Sequence, residues 1–82
     1  MYAFYNKSTN KFMHLYTWLY YGEDLQYSLD DDEDELVYTS LDRSVLERIL
    51  NGDAFGSGDN LQDPQVNPGL LDGFEIVKLG VL

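Results

Sequence analysis

Eighty-two residues support one core at most and leave no room for a catalytic domain beside a binding one, which excludes multidomain enzymes. Five Lys and Arg against fifteen Asp and Glu give a formal net charge of −10, a field that repels phosphate backbones and anionic membranes and so argues against direct contact with nucleic acid or a membrane. A hydrophobic share of 44% and an aromatic share of 15% offset the entropy of ordering, and without cysteine there is no disulfide, thiolate nucleophile or cysteine-held zinc. The opening MYAFYNKSTN lacks the basic start and apolar run of a signal peptide, and no apolar stretch approaches the roughly 20 residues that span a bilayer; a soluble, cytoplasmic protein is expected.

The aromatic or small residues Tyr2 to Tyr5, the turn formers Asn6 to Asn10 and the aromatic and branched stretch Lys11 to Tyr21 predict a β-hairpin over 2–21. In its second strand Phe12, His14, Tyr16, Trp18 and Tyr20 share one face, and Met13, Leu15, Thr17, Leu19 and Tyr21 the other. Both faces are largely apolar, so an exposed aromatic patch is expected. From Gly22 to Glu35 eight of the fifteen acids fall in fourteen residues, which predicts a solvated acidic loop over 22–35, although Leu25, Tyr27 and Leu29 alternate as a short strand would. Leu36 to Thr39 is a β candidate. Thr39 and Asp42 fit a capping box, with Ser40 as the other candidate cap, and a helix is predicted over 40–51 with Leu41, Val45, Ile49, Leu46 and Leu50 along one stripe and Gly52 at its C′ position. Glycines and prolines make 53–72 a long loop whose Phe55, Leu61, Val66, Leu70 and Leu71 should pack on the body. Phe74 to Leu79 alternates as a half-buried final strand. The expected fold is one α+β domain: a small antiparallel sheet of about four strands with one α-helix packed on one face.

Candidate chemistry is sparse. Asp30, Asp32 and Asp34 sit at the first, third and fifth positions of a calcium loop, but Glu35 stands where the turn wants Gly and Leu41 where a bidentate Glu is required. His14 is the single histidine and lies on an apolar face, as a structural histidine does. The crowded acids lack the dry pocket that raises a carboxyl for acid–base work, and Gly56-Ser57-Gly58 has no basic neighbour to cradle a phosphate. No catalytic residue, metal site or cofactor is predicted, and no enzyme. The aromatics could stack bases, but only Lys7 and Lys11 flank the hairpin, so a core plus a protein interface rich in Tyr and Trp is preferred.

The acidity itself remains. A duplex carries one charge per about 1.7 Å of axis, and acids on a rigid face can occupy a basic groove shaped for phosphates. The small size, the early hairpin YAFYNKSTNKF, the clustered acids GED and DDDEDE and the strand–helix–strand order ending in GFEIVKL resemble, as a class, the accessory inhibitors that bacteriophages make against host nucleic-acid enzymes, including the anti-restriction and anti-CRISPR groups. These features are not motifs, so no residue role is carried over. The resemblance implies a viral inhibitor, a DNA mimic in the host cytoplasm, whose partner is a host protein with a basic nucleic-acid-binding surface. Its expected contacts are Glu23, Asp24, Asp30, Asp31, Asp32, Glu33, Asp34 and Glu35, with Trp18, Tyr20 and Tyr21 as apolar anchors, acting as monomer or homodimer. The alternative is a structural or assembly protein that oligomerises through its aromatic sheet face, with the acid run a solvated loop.

Overall fold

The computed structural model describes residues 1–51 and 57–80, an α+β fold of two antiparallel sheets and, among those residues, one short helix. β1 (Tyr2–Asn6) lies at the centre of the first sheet, with β7 (Glu75–Lys78) along one edge. Its other edge is shared: β2 (Lys11–Phe12) pairs at Tyr5 and Asn6, and β6 (Thr39–Ser40) at Tyr2 and Ala3. The first turn follows from Asn6, whose Oδ1 accepts from the Ser8 and Thr9 N–H groups at 2.9 and 3.3 Å, and from Asn10, which takes a left-handed φ of 60°.

In the second sheet β3 (His14–Tyr20) pairs along its whole length with β4 (Asp24–Asp30), and at His14 and Leu15 with β5 (Leu36–Val37). The expected strands are therefore divided between two sheets. Two ribbons cross from one to the other, at Met13 between β2 and β3 and at Tyr38 between β5 and β6. The Met13 N–H donates to the Phe4 carbonyl at 3.1 Å and the Tyr38 N–H to the Met13 carbonyl at 3.0 Å, so the crossing stays hydrogen-bonded. Both side chains enter the core with Phe4, Leu29, Leu46, Ile49 and Val66. A strand that turns a corner this way changes which face is buried, and the long apolar stretch 11–21 is broken for that reason.

The helix, α1 (Arg43–Leu50), starts three residues later than expected. Thr39 and Ser40 are held by pairing with β1, so neither caps it; Asp42 does, its Oδ1 accepting from the Ser44 N–H at 2.9 Å and from the Ser44 hydroxyl at 2.7 Å. Leu41 precedes the helix and is 82% exposed, leaving Leu46 and Ile49 buried and Val45 half-buried against the core. The Arg43 guanidinium lies over the Tyr2 ring, 5.7 Å from its centre. Gly52 and Phe55 lie outside the described residues.

The acidic loop is shorter than 22–35, because Leu25, Tyr27 and Leu29 draw 24–30 into β4 by their alternation and leave 22–23 in the hairpin turn and 31–35 as loop. Strand ends differ elsewhere: 36–40 is two short strands flanking Tyr38, and the last strand is 75–78. Residues 57–72 turn repeatedly but dress the outer edge of β4. The Tyr27 N–H donates to the Gly58 carbonyl at 2.8 Å, the Gln65 N–H to the Tyr27 carbonyl at 2.9 Å and the Leu29 N–H to the Gln65 carbonyl at 2.9 Å. Gly58 must be glycine: its φ is +76° and a Cβ would come within 2.9 Å of the Gln26 and Gln65 side chains. Val66 is buried and Leu70 and Leu71 pack on the core, as expected, whereas Leu61 is exposed.

Candidate docking surface

The β3–β4 hairpin projects the aromatic residues. Alternation sends Tyr16, Trp18 and Tyr20 to one face and Leu15, Thr17 and Leu19 to the other. Trp18 Nε1 donates to the Ser28 hydroxyl at 3.1 Å, and its ring meets Tyr20 edge to face at 5.9 Å. Tyr20 in turn meets Tyr21 at 4.4 Å. At the tip Tyr21 and Gly22 take left-handed φ values of 52° and 72°, and the Glu23 N–H closes the turn on the Tyr20 carbonyl at 3.1 Å. That conformation throws Tyr21 outward, leaving it 86% exposed. An open depression of about 430 Å³ on the Trp18 face is walled by Tyr20, Asp24, Gln26, Asp59 and Gln65. On the opposite face Leu15 and Leu29 reach the core, while their outer counterparts Leu19 and Leu25, paired across the strands, are exposed.

The acids named from the sequence divide into two groups. Glu23 and Asp24 stand at the tip beside Tyr20 and Tyr21, and Asp30 to Glu35 at the base, the length of β4 away. Six residues of strand separate them by about 20 Å. Trp18, Tyr20 and Tyr21 are thus grouped with the smaller acid pair and not with the run of six. The base loop is folded by its own carboxylates: Asp30 Oδ1 accepts from the Asp32 N–H at 3.3 Å and Asp32 Oδ1 from the Asp34 N–H at 3.0 Å. Its one cation contact among the described residues is Lys11 to Glu33 at 3.6 Å. Lys7, Arg43 and Arg48 pair elsewhere, with Glu75, Glu47 and Asp63, so four of the five cations are already engaged. Little positive charge is left to screen the hairpin's two ends.

Among the described residues no group of three or more His, Asp or Glu side chains is arranged to hold a metal ion. His14 is buried, and its Nδ1 has no hydrogen-bond partner among the described atoms. The perturbed groups serve the scaffold. Burial pushes the Tyr38 phenol up to about 12, and its hydroxyl donates to the Leu61 carbonyl at 2.6 Å. Hydrogen bonds from the Ser57 N–H and side chain, then the Arg48 guanidinium, hold the Asp63 carboxyl below its ordinary value. Sequence reasoning missed Asp59 and Gln65 as walls of the Trp18 depression, since a contact across more than thirty residues leaves no local trace. Leu19 and Leu25 had one, their symmetric placement about the Tyr21-Gly22 turn. No family model, no curated protein and no solved structure matches this chain. No helix among the described residues is long and apolar enough to cross a membrane.

Proposed function

We propose that the protein is a non-enzymatic acidic inhibitor that docks on a basic nucleic-acid-binding surface of a host protein, in the manner of phage anti-defence proteins. The observation that carries this reading is the hairpin with largely unneutralised carboxylates at both ends and exposed aromatic and leucine side chains between them. Charge density supports it. The molecule is 36 Å long and carries a net charge of −10. A single strand of B-form duplex carries one phosphate per about 3.4 Å, hence about ten to eleven over that length. Summed over the whole molecule the charge is thus close to that of one strand of the same length, with eight of the fifteen acids at the hairpin's two ends, while its apolar side chains supply contact that a phosphate backbone lacks. Affinity capture from a host lysate with mass spectrometry names the partner, and competition with duplex DNA on the purified partner tests the reading. Inhibition predicts mutual exclusion of protein and DNA; a partner that binds both at once overturns it.

The exposed Leu19–Leu25 pair favours a second reading, assembly through the hairpin's sheet surface. Sizing chromatography distinguishes it: a stable oligomer that survives neutralisation of residues 30–35 supports assembly.

A further inference from the structure

The β3–β4 ladder determines which backbone groups of β3 are spoken for. Tyr27 and Leu29 of β4 direct their N–H or C=O groups to the Gly58 and Gln65 segment, away from β3. In an antiparallel ladder the direction alternates, so Asp24, Gln26, Ser28 and Asp30 bond to their partners Tyr20, Trp18, Tyr16 and His14. Leu15, Thr17 and Leu19 then point the other way. Leu15 faces Leu36 of β5, but β5 ends there, and among the described residues nothing pairs with the outward N–H and C=O groups of Thr17 and Leu19. Natural sheets shield such an edge with Lys, Pro, a bulge or a covering loop. The other edge of this hairpin is covered by 57–67, whereas Leu15 to Tyr21 contains no charge and no proline.

We infer that the free edge of β3 between Tyr16 and Tyr20 receives an extended segment of a basic partner as an added antiparallel or parallel strand, bonded to Thr17 and Leu19. This rests on the docking reading above and specifies its mode. Charge complementarity selects the occupant. A strand laid there is in line with β5, so one end abuts Asp34 and Glu35 and the other the tip acids Glu23 and Asp24. Lys or Arg at both ends of the segment meets carboxylates, and apolar side chains in the middle meet Leu19 on one face and Trp18 and Tyr20 on the other. A second copy of this chain fits worse, because antiparallel pairing of two β3 edges about Trp18 brings the base loop of each copy towards the other's Glu23, between molecules of −10 each.

The test uses the intact protein and four synthetic nine-residue probes: Lys-Lys-Val-Thr-Val-Thr-Val-Lys-Lys, the same peptide with Glu for Lys, and two forms of the Lys peptide N-methylated at one or the other alternate set of central amides, which keep charge and remove the strand donors of one side. Fluorescence anisotropy gives affinity, and amide hydrogen exchange resolved by NMR gives the site. Edge pairing predicts that the Lys peptide slows exchange at Thr17 and Leu19, that N-methylation on the bonding side weakens binding about tenfold or more, and that the Glu peptide does not bind. Binding that is unchanged by N-methylation in both registers, without protection at Thr17 and Leu19, overturns edge pairing but leaves charge-driven docking standing. Failure of the Lys peptide to bind at low salt overturns edge pairing; docking itself then stands or falls on competition with DNA. Protection that rises with protein concentration and no peptide assigns the edge to a second copy and overturns the proposal.

Discussion

The Tyr38 N–H donates to the Met13 carbonyl at 3.0 Å, at the point where both residues carry their strands from one sheet into the other. The hairpin that bears the exposed aromatics is thereby fastened to the body through two buried side chains. Met13→Ala removes a fully buried side chain at this junction and is expected to cost about 2–5 kcal/mol. Urea unfolding followed by both tryptophan fluorescence, which reports the hairpin, and far-ultraviolet dichroism should shift together. Two separate transitions would show that the sheets unfold independently.

Tyr38 predicts alkaline sensitivity. Burial raises its phenol from 10.0 to about 12, so the folded state holds this proton more tightly than the unfolded state. The stability this adds is fully present below pH 10 and is lost as pH rises from about 10 towards about 12. Tyr38→Phe loses the bond to the Leu61 carbonyl, about 0.5–1.5 kcal/mol at neutral pH, and should flatten that alkaline decline. Denaturation midpoints of both proteins across the alkaline range check it.

Asp42 and Asp63 predict acid sensitivity. Hydrogen bonds from the Ser44 side chain and N–H lower the first, and those from Ser57, then Arg48, lower the second. Depressed carboxyls stabilise the fold above their unfolded value near 3.8, and that contribution disappears as pH falls through the lower folded value. Asp42→Asn keeps an oxygen acceptor for the Ser44 N–H and removes the titration, so its helix signal should persist to lower pH than that of Asp42→Ala. Equal acid midpoints for the two variants would exclude the capping role.

Charge at the base loop predicts association kinetics. Replacing Asp31, Asp32 and Asp34 by Asn preserves size and the turn-forming oxygens, and should slow association with the partner more than it speeds dissociation. Binding by the unaltered protein should weaken steeply between about 50 and 200 mM salt. Surface plasmon resonance across that range decides the matter; unchanged low-salt affinity of the triple variant would move the contact to the hairpin edge alone.

Local pattern reached the α+β class, the first turn and the final strand, because each is written in neighbouring residues: Asn6 and Asn10 bracketing the turn, and Glu75 to Lys78 alternating. The sheet crossing was not legible. Phe12, Met13 and His14 alternate as they would in a straight strand, and only the distant Tyr38 and Phe4 reveal the corner. The cap was obscured by competition, since Thr39, Ser40 and Asp42 are all good caps and pairing with β1 removes two of them. The candidate surface was half legible. Its residue types were visible, but the roughly 20 Å between its acid groups emerges only once 24–30 is a strand and not a loop.

The two sheets also differ in how far along the chain their partners lie. Hairpin pairs run from Tyr20 with Asp24 to His14 with Asp30, whereas β1 has one near partner, β2, and otherwise waits for Thr39 and Ser40 and for Glu75 to Lys78. Pairing between near neighbours forms on the microsecond scale, and the entropic cost of closing a loop rises with its length, so the near pairs have the advantage. During synthesis the aromatic hairpin can therefore zip up while β7 is still inside the ribosome. The unpaired side of β3 at Thr17 and Leu19 is then formed before the body that carries it has closed.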